Sequence, residues 1–187
     1  MKTKIFILIT LLLAATAVSA QTFLYTHNRT HTGQDANSHN TFTFRSTVSS
    51  GDMVLLHNVA NTRTNAERRF RNGQPLTQRI LLGQEQLLEP DNWTWNRTRS
   101  IVNNAFSAAE KQRVRGSFLT TSMVIDTNTG RVVEVEFHFL ANSGFATIPV
   151  SVYRRIELEL KNQIWFTPTA VGRSLNFTRR TWTQEVR

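Results

Sequence analysis

Glu134 and Glu136 stand two apart in a stretch whose apolar residues alternate: Val133, Val135, Phe137 and Phe139. On a strand this spacing puts both carboxylates on one face, roughly 7 Å apart. Paired carboxylates are what glycoside hydrolysis requires. The ordinary reading is two solvated residues on the wet face of a half-buried strand, and nothing in the sequence marks either as perturbed. His27 and His31 stand four apart, with Asp35 and His39 nearby. On a helix, histidines at that spacing can bind zinc. Here the segment is rich in Thr and Asn and has no helical period to hold the rings together, so it reads as a polar loop. No metal and no other cofactor is expected. Gly-x-Ser-x-Gly, His-Glu-x-x-His and a phosphate-binding Gly-rich loop are all missing, and cysteine does not occur. No catalytic residue is assigned, and the expectation is a protein that is not an enzyme.

Binding residues stand out more clearly. Trp93 and Trp95 flank Thr94, beside Arg97 and Arg99. If extended, both indoles face one side and can stack on sugar rings or bases while Arg grips anions. If helical, they diverge and Trp93 belongs to the core, which is the preferred reading because Trp is mostly buried. Trp165 also reads as core. Near the C-terminus, Trp182 follows Arg179 and Arg180 and is the better candidate for an exposed edge. Arg173, Arg179, Arg180, Trp182, Trp93 and Trp95 form the candidate binding set.

The elements that must position these residues follow from periodicity and turn chemistry. Thr22–Thr26 reads as a short strand before the polar loop. Thr41–Arg45 alternates, Ser49–Asp52 is a turn, and Met53–His57 is a buried strand. Asn61–Gly73 is polar and crowded with Arg63, Arg68, Arg69 and Arg71, with room for one or two helical turns. Leu76–Leu88 is ambiguous. A helix runs from Asp91 through Asn104. Ser107 with Glu110 has capping-box spacing, and Gly116 ends that short helix. Phe118–Ile125 and Arg131–Leu140 form a hairpin around the Asp126–Gly130 loop. Thr147 caps a helix with Pro149 in its first turn; Val152, Tyr153, Ile156, Leu160 and Ile164 carry its apolar face, although Ile156–Leu160 also alternates as a strand would. Ser174–Thr183 closes the chain as a strand whose edge can accept a partner strand, or whose arginines guard against one.

The 187 residues carry 22 basic and 13 acidic side chains and a formal charge of +9. Lys2 and Lys4, the apolar run Ile5–Leu13 and small residues through Ala20 read as a cleavable signal peptide, residues 1–20. The run is shorter than the roughly 20 apolar residues of a membrane span. No cysteine follows for lipidation, so the expected location is periplasmic or secreted. Most of the positive charge is Arg, suited to carboxylate, phosphate or sulfate; a solvated basic surface is the bland alternative. No specific nucleic acid is expected as partner, and no transmembrane segment after cleavage.

Residues 106–183 carry an ordered set: Ala108-Ala109 on a short helix, Gly116, a strand ending Val124-Ile125-Asp126, and Gly130-Arg131-Val132 opening the next. Ser143-Gly144-Phe145, an amphipathic helix, Trp165-Phe166-Thr167-Pro168 and Gly172-Arg173 complete it. In order and spacing this resembles the C-terminal domain of TonB-type energy transducers. The resemblance implies a small antiparallel sheet packed on a helix, and binding of a peptide or partner at a sheet edge. The Tyr-Pro pair usual before that family's first strand is absent, as is a Pro-rich spacer, since the chain has only four prolines. Energy transduction is therefore not implied. The whole chain resembles uncharacterised exported proteins of Gram-negative gut-type bacteria.

The expected fold is α+β: residues 106–187 a TonB-C-like domain with its sheet on one or two helices, residues 21–105 an N-terminal region with short strands and a helix, packed on the rest. The expected function is binding an envelope protein or peptide along the last strand. The alternative is binding acidic glycan or another polyanion through the Arg-rich surface and Trp93/Trp95; a glycan-active hydrolase comes third.

Overall fold

The computed structural model describes residues 22–187; residues 1–20, expected to be a signal peptide, lie outside the described residues. The fold is α+β. Six antiparallel strands form one sheet in the order β1-β2-β3-β5-β4-β6. They are β1 (Arg29–Gln34), β2 (Thr41–Val48), β3 (Met53–Asn58), β4 (Phe118–Ile125), β5 (Val132–Leu140) and β6 (Thr178–Glu185). The helices are α1 (Gln78–Leu81), α2 (Trp93–Ala105), α3 (Ala108–Val114), α4 (Val150–Gln163) and α5 (Ala170–Arg173). Among the described residues no helix is long and apolar enough to cross a membrane.

Strand register sorts the side chains. One row across the sheet runs Leu56, Phe137, Thr121, Trp182. It faces α4, whose Val152, Tyr153, Ile156 and Leu160 are all buried. Helix α2 packs on α4 and meets β6 through Trp95 against Trp182. Stacked rings bind the layers: Phe139 lies parallel to Tyr153 at 5.5 Å, and Tyr25 meets Tyr153 edge-on at 5.8 Å. Each such ring contributes about 1.5–3 kcal/mol by its burial. The opposite face carries the row Arg45, His57, Glu136, Ser122, Thr181.

Local chemistry explains the clearest elements. Ser107 Oγ accepts from the Glu110 amide while the Glu110 carboxylate accepts from the Ser107 amide, so the capping box forms as the spacing requires. Asp126 Oδ1 accepts from the amides of Asn128 and Thr129, which fixes the β4–β5 loop. That loop ends at Gly130, φ 71°, where a Cβ would lie 1.8 Å from the Phe166 carbonyl oxygen. Phe166 N–H in turn donates to Gly130 O at 2.8 Å, pinning the segment after α4 to the hairpin.

The structure departs from the sequence reading in places. Thr22–Thr26 is not a strand. It is held instead by Leu24 N–H on Ala146 O and Tyr25 Oη on Ile148 O, and the polar stretch after it forms β1. The expected loop becomes a strand because β2 supplies a ladder; its own composition gave no such signal. Thr147 closes a one-turn 3-10 helix, Gly144–Thr147, and Pro149 takes the cap position before α4. Ile156–Leu160 is helical, since period 3.6 buries Ile156 and Leu160 against the sheet. The closing strand starts at Thr178, four residues later than the alternation suggested.

Candidate functional site

β6 is an edge. Its backbone pairs with β4 alone, and no other backbone group among the described residues hydrogen-bonds to its main chain. One rail of its N–H and C=O groups is therefore free of the ladder. Beside its first residues stands a wall made by residues 80–90. Thr169 N–H donates to Leu87 O at 3.1 Å and Glu89 N–H to Thr167 O at 2.8 Å, which ties the wall to the turn entering α5. Gly172 permits this close approach, because a Cβ there would meet Leu87 O at 2.0 Å. Between wall and strand lies a cleft of about 450 Å³, lined among others by Arg68, Ile80, Leu88, Thr178, Arg179 and Arg180.

The three arginines in this cleft are not equivalent. Arg179 is committed. Its Nη1 donates to Glu136 Oε2 at 2.9 Å and its Nη2 to the carbonyls of Arg63 and Thr64. Arg180 has its Nε buried without a hydrogen-bond partner among the described residues, and its guanidinium lies 5.8 Å from the centre of the Trp182 ring. Arg68 is half-buried. Burial, and then the positive charge of Arg179, pull the pKa of Arg68 below its ordinary value. Thr178 is fully buried with its Oγ1 unpartnered among the described residues. Glu85, the carboxylate lining the cleft, is held by Arg79 at 2.9 Å. Positive charge and donors here exceed the acceptors supplied to meet them.

The candidate tryptophans are placed differently from the sequence reading. Trp93 is not core: it is 40% exposed on the first turn of α2 and lies against Trp165, 53% exposed, with centroids 4.6 Å apart. Trp165 is likewise not core, because it follows α4 on a segment bridged to Arg131 rather than under the helix. Trp182 is half-buried rather than an exposed edge residue, since its register puts it at the end of the inner row beside Thr121. Its ring meets Trp95 at 5.5 Å and Phe166 at 6.1 Å. A continuous strip results: Arg180, Trp182, Trp95, then Arg99 at 6.0 Å from the Trp95 ring. Arg173 is exposed at the end of α5 and donates to Pro168 O, apart from that strip.

Glu134 and Glu136 are not on a wet face. Both are buried, at 6% and 3% exposed, because residues 62–64 cross over that side of β5. Glu134 spends its oxygens on the Thr62 amide and hydroxyl and the Arg63 amide. Glu136 pairs with Arg179, and its Oε1 has no partner. His138 Nε2 sits 4.0 Å from Glu136 Oε2, and burial holds its pKa below the usual histidine value. His31 turns toward Ser46 Oγ at 3.0 Å and the Tyr25 ring, while His27 meets Thr26 Oγ1. Asp35 is bound to Arg154. Among the described residues no three His, Asp or Glu side chains converge as metal ligands would. A second recess, of about 620 Å³, lies between the β1–β2 turn and α4, but its central charges, Asp35 and Arg154, satisfy each other.

Arg68, Thr178 and the wall escaped the sequence reading. The arginine cluster at residues 63–71 was visible, but nothing local said which member would face β6.

The family comparison extends over both the sheet and this cleft. A model described as a domain of unknown function, DUF5043, matches residues 21–182. The chain belongs to the DUF5043 family. A crystal structure of a DUF5043 family protein from Bacteroides uniformis ATCC 8492 is similar, with 28% identity and a TM-score of 0.76 over 88% of this chain and 95% of that one. No curated protein matches. The matched region spans β1 to β5 and β6 as far as Trp182.

Proposed function

We propose that this DUF5043 protein is an exported, non-enzymatic binding module that takes up an extended segment of an envelope protein along β6. The observation that carries the reading is the unpaired rail of β6 running beside a cleft with unmet donors. An added strand gains main-chain hydrogen bonds from the rail and side-chain contacts from the cleft. The TonB-C resemblance of residues 106–183 supports the reading, because it implies binding of a peptide or partner at a sheet edge, and β6 lies at such an edge. Arg179 is spent on Glu136, which weakens its reading as a guard of the edge. Residues 1–20 would be removed on export, leaving the module periplasmic or secreted.

A second reading, acidic-glycan binding, is favoured by the exposed Trp93–Trp165 pair. Salt separates the two. Strand addition by an uncharged peptide of alternating Val and Thr should change less than about twofold between low and physiological salt. Polyanion binding should weaken steeply, because each neutralised charge releases counterions. Titrating both ligands by calorimetry at two salt concentrations decides; loss of all peptide binding would remove the first reading.

A further inference from the structure

The geometry points to a carboxylate subsite in the cleft beside β6, formed by Arg68, Arg180 and Thr178, which selects an acidic side chain in the segment that pairs with the strand. The inference rests on the strand-addition reading and adds its sequence preference. Three independent observations meet at this place. Thr178 Oγ1 is fully buried and unpartnered, although its residue lines the cleft. A buried hydroxyl without a partner is costly, and native structures seldom leave one idle without a role. Arg180 Nε is buried and unpartnered beside it. Arg68, on a different segment, faces the same space with Arg179 as its charged neighbour.

Like charges brought together in a half-buried cleft repel, and among the described residues only Arg179 of the three pairs with a carboxylate. An incoming carboxylate would accept from the fork of Arg68 or Arg180 and from the Thr178 hydroxyl, completing donors that are now unmet. Charge-assisted bonds of this kind are about twice as strong as neutral ones. Lysine in place of either arginine would lose the planar fork. The source of the carboxylate is assigned to a strand-like segment because the subsite adjoins a free backbone rail, to which a sugar has no matching ladder of donors and acceptors.

The test uses the chain from residue 21 onward and two blocked peptides of alternating Val and Thr, one with a central Glu and one with Gln at that position. Calorimetry should show the Glu peptide binding about tenfold more tightly than the Gln peptide. Arg68→Gln and Arg180→Gln should each bring the Glu peptide to within about twofold of the Gln peptide. Circular dichroism on both variants guards against a folding defect, and Arg68, lying outside the sheet, serves if Arg180→Gln fails to fold. Equal affinity of the two peptides would overturn the carboxylate subsite and leave strand addition standing. Binding of neither peptide would overturn strand addition itself. Binding of trigalacturonate, lost in Arg68→Gln, with no peptide binding, would overturn the peptide assignment in favour of an acidic glycan.

Discussion

Arg179 on β6 reaches over β4 to Glu136 on β5, with Nη1 2.9 Å from Oε2. The pair fastens the edge strand to the sheet interior and explains why two adjacent arginines of similar sequence character have different roles. Glu136 is 3% exposed, so removing its cation leaves a buried charge uncompensated. Arg179→Ala should lower stability by about 3 kcal/mol in urea titrations, whereas Arg180→Ala should cost under about 1 kcal/mol. Equal effects of the two substitutions would contradict this division of labour.

Glu157, fully buried on α4, accepts from Arg154 Nη1 at 2.8 Å, Lys161 Nζ at 2.7 Å and Asn58 Nδ2 at 3.1 Å. It joins the helix to β3. Glu157→Ala strands these donors and should cost about 3 kcal/mol, measurable as a lower midpoint with an unchanged denaturant slope.

Arg154 also grips Asp35 with two bonds, at 2.9 and 3.0 Å. The hydrogen bond from Arg154 holds the Asp35 carboxyl below its ordinary 3.8. A depressed folded-state pKa contributes stability that is present above the unfolded value and is lost as pH falls below it. The protein should therefore lose stability below about pH 4, and Asp35→Asn should be less stable at neutral pH but flatter in its acid limb. Parallel acid curves for the two proteins would show that the pair does not contribute.

Gly130 sits at φ 71° with the Phe166 carbonyl where a Cβ would go. Gly130→Ala should cost about 2 kcal/mol or more, from backbone strain together with the displaced Phe166 contact. Gly116, also at positive φ but with open space around it, should cost only about 1 kcal/mol on the same change. Thermal melts of the two variants check the ranking.

Much of the sheet was legible because its strands advertise themselves locally. β2, β3, β4 and β5 alternate or form apolar runs between turn residues, and the Ser107 capping box needs only four residues to be recognised. β1 was not legible, since Arg29–Gln34 owes its extension to pairing with β2 and to Arg154 holding the following turn. The candidate site was half legible. Arg179, Arg180, Trp182 and Trp95 do meet around β6, but sequence could not tell committed from uncommitted cations. Residue type argues for a core Trp93, and the place after the helix for a core Trp165, whereas the entry to α2 and the segment after α4 leave both on the surface. Trp93→Ala should accordingly cost under about 1 kcal/mol of stability.

As a receiving edge, β6 should change its backbone hydrogen bonding when a segment pairs with it. Amide hydrogen exchange of residues 178–185, measured on the chain from residue 21 onward with and without the central-Glu peptide, tests it most directly. The amides of β6 facing away from β4 should exchange rapidly alone and become strongly protected at saturating peptide, while amides in β1 stay unchanged. Binding of that peptide with protection confined to β1, or with no new protection in β6, would contradict it.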